Sequence, residues 1–155
     1  MTRQPRCRAF TLIEILVVVV ILGILAAIVF AQVSGATDSA KSSSIKSQLQ
    51  TVRGQLELYY TQHAGSYPTL AQLNANWTVM TGKTDIAGNV STSGAYGPYL
   101  QQPPRNPIQD SASLAAAPAA GVGWVYDETT GDIRACVPAS KATALGLATG
   151  DVSTY

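Results

Sequence analysis

Residues 7–31 read CRAFTLIEILVVVVILGILAAIVFA, a nearly unbroken apolar run with one carboxylate, Glu14, near its start. From Phe10 to Ala31 there are 22 residues, which as a helix span about 33 Å and cover the ~30 Å hydrocarbon core of a bilayer. A carboxylate inside such a segment costs roughly 2.5–3.5 kcal/mol on insertion scales. The fold and the function both turn on why it is tolerated. Glu14 lies near a helix start, where it meets the positive end of the helix dipole and unpaired amide groups.

Three readings of the run compete. A cleaved secretory signal has a shorter core of roughly 7–15 residues and small residues at its cleavage site, which Ala26, Ala27 and Ala31 loosely imitate. A plain membrane anchor fits the length and the flanking Arg3, Arg6 and Arg8, but leaves Glu14 unexplained. The third places processing ahead of the run. A short basic leader, a small residue (Ala9) and then Phe10-Thr11-Leu12-Ile13-Glu14 resemble the class III signal of type IV pilins and type II secretion pseudopilins.

That resemblance implies a prepilin, cut by a prepilin peptidase between Ala9 and Phe10 and N-methylated on Phe10. The family usually has Gly before the cut; Ala9 is small enough for the same cleft. Cleavage creates an α-amino group, cationic at neutral pH with a reference pKa near 8. Four residues on, Glu14 is predicted to share its helix face. The resemblance further implies that Glu14 of an incoming subunit pairs with the Phe10 amine of a neighbour in a growing filament. Buried among apolar helices, either charge alone costs several kcal/mol, so the pair selects register.

Composition agrees with a membrane-anchored domain. The chain has 155 residues, 12 % charged and 46 % apolar, which excludes a disordered polyelectrolyte. Without residues 1–9 there are seven basic against nine acidic side chains, a formal charge of −2. Nucleic-acid binding through a basic surface is therefore not expected. Cys7 leaves with the leader, and Cys136 is read as a small buried residue of a strand, so no intramolecular disulfide is expected.

No proline occurs between Thr11 and Tyr67, so one helix can continue past the apolar run. Ile45, Leu49, Val52, Leu56, Tyr59 and His63 recur at spacings of four and three, with Lys46, Gln50, Arg53 and Glu57 off the stripe. This predicts an amphipathic continuation packed on a sheet. Gly65 is the expected helix stop, and His63 beside it a boundary residue rather than a ligand or catalyst. The organisation expected is a leader over 1–9, a hydrophobic helix over 10–34, its amphipathic continuation over 35–64 and a periplasmic head over 65–155.

In the head, residues 65–73 (GSYPTLAQL) read as a turn and a short helix capped by Thr69 or Ser66. Residues 76–120 read as mostly loop, with three prolines among 103–107 enforcing extended backbone. Residues 110–121 are expected to be the most mobile part. The best hairpin is Val122–Tyr126, a turn over 127–131 and Asp132–Val137, with Trp124 and Tyr126 as the surface for the helix stripe. One more edge strand is expected around Ala144–Ala148. The fold class is α+β and pilin-like: a long helix whose second half packs on a small antiparallel sheet with a loop-rich head. The passages 65–73 and 97–107 are similar to those of pseudopilins. With the absent disulfide they favour a type II secretion-like subunit over a disulfide-looped pilin.

With scattered acids and a single histidine, no enzyme is expected. No cofactor is expected either. Calcium is the one metal considered, with Asp127 and Asp132 as candidates and Asn106 and Asp110 as further oxygen donors. Asn76-Trp77-Thr78 and Asn89-Val90-Ser91 match glycosylation acceptors, triplets common by chance. The expected partners are other copies in a helical filament, the prepilin peptidase, the inner-membrane assembly platform with other pseudopilins, and lipid. The expected location is the inner membrane with the head in the periplasm, then a filament. The alternative is a minor pilin presenting an adhesion or DNA-uptake surface, built on Tyr96, Tyr99, Arg105 and Arg134.

Overall fold

A computed structural model of the chain describes residues 10–155. Helix α1, Leu12–Gln62, is 51 residues long, as the absence of proline allows. The chain forms two compact units, one ending at Thr37 and the other running from Asp38 to Tyr155. Within the described residues the first unit is almost entirely α1.

In the second unit every member of the predicted stripe is buried: Ile45, Leu49, Val52, Leu56, Tyr59 and His63 are at most 3 % exposed. They face a four-stranded sheet of β1 (Leu114–Ala115), β2 (Trp124–Tyr126), β3 (Ile133–Val137) and β4 (Val152–Thr154), in that spatial order. The central β2–β3 pair is the expected hairpin, with Trp124 opposite Ala135 and Tyr126 opposite Ile133. All four side chains share one buried face with the helix stripe. Fully burying apolar side chains of this size contributes about 1.5–3 kcal/mol each, so the stripe and hairpin dominate the stability of this unit.

The arrangement is α+β, but the sheet is mixed rather than wholly antiparallel. β1 pairs with β2, and β4 with β3, in parallel. Parallel neighbours need crossover connections that leave no local pairing signal. The edge strand expected at 144–148 lies instead at Val152–Thr154, and the tail before it forms a short helix, α4 (Ala139–Ala142). The reason is Arg53. Its guanidinium reaches from α1 to Asp151 Oδ1 at 2.8 Å, the Ile133 carbonyl at 2.8 Å and the Gly150 carbonyl at 2.9 Å. This charge-assisted fork fixes where the tail meets the sheet.

The short helix expected within 65–73 is present, and the region read as loop beyond it holds more than loops. Helix α2 (Leu70–Asn74) is closed by a capping box between Thr69 and Gln72, which decides between the two candidate caps. A one-turn helix α3 (Thr78–Thr81) follows, and Trp77 before it is buried with Val79 and Met80. Buried polar groups hold the proline-rich passage. Asn106 donates to the carbonyls of Gly123 (2.7 Å) and Cys136 (2.9 Å) and accepts from the Ile108 N–H. Trp124 Nε1 donates to the Pro104 carbonyl and Trp77 Nε1 to that of Ala112. Cys136 is fully buried in β3, in line with its reading as a small strand residue. Cys7 lies outside the described residues.

Candidate membrane and assembly surface

Along the start of α1 no face is covered. From Phe10 to Val33 the large apolar side chains range from 48 % (Val17) to 83 % (Leu12) exposed. A helix apolar all round is the pattern of one buried on every side by lipid or by other helices. An exposed apolar surface of this extent marks an interaction site, not a solvated one.

The helix begins with a device that the bare hydropathy of the run conceals. Thr11 is the N-cap and Glu14 the third helical residue. The Thr11 N–H and hydroxyl both donate to Glu14 Oε2 at 2.8 Å, and the Glu14 N–H donates to Thr11 Oγ1 at 3.3 Å. This is a reciprocal capping box, which satisfies two of the otherwise unpaired donors of the first turn. Where those donors face hydrocarbon instead of water, leaving them unpaired costs more. Glu14 is therefore tolerated in part because it replaces water at the helix end.

The same geometry corrects the expected relation of Phe10 to Glu14. Phe10 precedes the N-cap and is not helical, so the four-residue helical spacing does not apply to it. Phe10 instead lines a shallow hollow together with Leu12, Ile15 and Val19. In the uncut chain its nitrogen is an amide. A charged amine at this nitrogen would require a cut before Phe10. Ala9, the other half of the predicted processing site, and the leader lie outside the described residues. Thr11 is the residue that the charge argument missed, although the T-x-x-E spacing of a capping box is present in the sequence.

The remaining candidates separate from one another. Asp127 accepts from the Thr129 N–H and the Thr130 hydroxyl, and Asp132 forms an ion pair with Arg134 at 2.6 Å. Asp110 pairs with Arg105, and Asn106 is used inside the head as described. Among the described residues no three acidic, histidine or cysteine side chains gather as a metal-binding group. Tyr99 is buried and Tyr96 half-buried, both edge-on to His63. His63 stacks on Tyr59 and is held by the Tyr59 carbonyl and the Thr84 hydroxyl. It is a packed boundary residue. The two tyrosines and the ion-paired Arg105 and Arg134 do not make an exposed aromatic–basic patch.

Residues 4–30 match the family described as the prokaryotic N-terminal methylation motif. The chain is also homologous, through its N-terminal region, to proteins named type II secretion system core protein G. It is 40 % identical over 69 residues to that of Klebsiella pneumoniae, covering 44 % of this chain and 49 % of the relative. It is 46 % identical over 63 residues to that of Pseudomonas aeruginosa, covering 41 % and 44 %, and 39 % identical over 69 residues to that of Dickeya chrysanthemi, covering 44 % of each. The chain thus spans about half the length of the curated relatives it matches. No solved structure matches it.

Proposed function

We propose that this chain is a structural subunit of a type II secretion-like pseudopilus, or of a pilus-like filament of the same construction. It is made as a single-pass inner-membrane precursor with its head in the periplasm. The prepilin peptidase cuts before Phe10, the new amine is methylated, and the assembly platform moves the subunit into a filament with other copies and other pseudopilins. One observation carries this reading: a helix exposed and apolar on every side, opened by the Thr11–Glu14 box, inside the methylation motif. Such a helix can leave lipid for a bundle of equal helices without meeting water. The subunit is not an enzyme, binds no nucleic acid and needs no cofactor. The separate engagement of Asp110, Asp127 and Asp132 supports a head that folds without calcium.

Mass spectrometry of the protein from membranes tests the processing step. The expected N-terminus is methylated Phe10; an intact leader, or cleavage after Ala31, overturns the reading. The minor-pilin alternative has no observation in its favour, because its tyrosines are packed on His63.

A further inference from the structure

One exposed apolar feature lies on the head, away from the apolar run. Ile86 and Val90 are 65 % and 55 % exposed at the tip of a loop that is otherwise tightly held. Thr84 and Val90 bridge, and the Asp85 carboxylate accepts from both the backbone N–H and the side-chain amide of Asn89. Gly88 packs so closely beneath Tyr59 that a Cβ would lie 2.2 Å from its hydroxyl, and its carbonyl accepts from Gln72 Nε2. Two aliphatic side chains are thus presented to solvent by a preorganised backbone, which lowers the ordering cost of any contact they make.

On the same unit a hollow of about 510 Å³ opens beside Leu70, Ala117, Pro118 and Val125, with Asp127 and Glu128 also in its lining and Glu128 accepting from the Leu70 N–H. Its lining carries three carboxylates against one arginine, Arg134. Lys83, next to the loop tip, is exposed and makes no ion pair among the described residues. Tip and hollow flank α2: Gln72 holds the tip, and Leu70 lines the hollow. Two residues apart on a helix, these positions point about 200° from each other. A subunit's own tip therefore faces away from its own hollow.

We propose that the Ile86–Val90 tip of one copy seats in the Leu70–Val125 hollow of another, with Lys83 against Asp127 and Glu128. This rests on the filament reading given above. Because tip and hollow are different surfaces, the contact is heterologous and leaves a free tip and a free hollow after each addition. A contact of that kind propagates into a helical array.

The test uses the full chain, expressed with a type II secretion assembly machinery and carrying Val90→Cys and Ala117→Cys together. Oxidised filaments are expected to give a ladder of covalent multimers that neither single variant gives. Filaments that form without that ladder overturn the contact and leave the filament reading standing. A wild-type chain that is cleaved yet never found in filaments overturns both. Ile86→Asp is the second variant: filament yield is expected to fall at least tenfold with the head's melting temperature unchanged. A yield within twofold of wild type overturns the contact.

Discussion

Glu14 has a capping role in the structure and a proposed assembly role, and substitution can separate the two. Its carboxylate completes the capping box with Thr11, and glutamine also serves at that position of the motif. Pairing with a neighbour's Phe10 amine needs the charge. If both roles hold, Glu14→Gln keeps the helix start and Glu14→Ala weakens it by removing the acceptor of the Thr11 N–H and hydroxyl. Both variants are expected to be cleaved before Phe10 and both to lose filaments, scored by shearing and electron microscopy. Normal filaments from Glu14→Gln would show that the charge is dispensable. At the other end of α1, Ala64 takes the left-handed conformation (φ 55°) while the Gly65 N–H bonds back to the Tyr60 carbonyl. Gly65, the stop the sequence pointed to, is also left-handed (φ 76°), but the position directly after the cap, where glycine is favoured, is held by Ala64. Ala64→Gly is expected to stabilise the protein by about 1 kcal/mol in urea unfolding.

At the scale of elements, the helix stripe and the β2–β3 hairpin were legible because each carries its own period. Leu56, fully buried between them, is expected to cost about 2–5 kcal/mol on replacement by alanine. Denaturant unfolding of the protein reads this directly; a cost below about 1 kcal/mol would mean that the stripe does not carry the core. Gly131 closes the hairpin turn at φ +73°, with a Cβ position only 2.4 Å from the Tyr67 ring. Gly131→Ala therefore adds backbone strain to a clash and is expected to lower the melting temperature. The elements that escaped were β1, β4, the short helix α4 and the Trp77 turn. β1 and β4 are two and three residues long and pair in parallel, so their existence depends on surfaces supplied elsewhere in the chain. Trp77, between two exposed residues, gave no period to read.

For the whole molecule, pH acts in two windows. The Asn89 N–H holds the Asp85 carboxyl below the ordinary carboxylate range, and the Thr129 N–H does the same for Asp127. Groups lowered on folding stabilise the protein above the unfolded carboxylate pKa of about 3.9, and that stability is lost as pH falls through the lower folded values. Burial, with the nearby Tyr99 and Asp85, pushes the Tyr59 phenol up to about 12. A phenol raised on folding contributes fully below its unfolded pKa of about 10, and the contribution disappears as pH rises through the folded value. Thermal melts are expected to be flat between these windows and to fall beyond each, with Tyr59→Phe blunting the alkaline fall. If the head folds without calcium, chelator and added calcium leave the melting temperature unchanged; a clear rise with calcium would overturn that. The amino-acid sequence by itself determined the membrane-length helix, its odd carboxylate and the amphipathic stripe, because hydropathy and helical period are local properties. Only the tertiary structure decided that Arg53 fixes the last strand and that Ile86 and Val90 stand exposed. Those outcomes depend on which distant backbone groups come within hydrogen-bonding reach, and no local period records that.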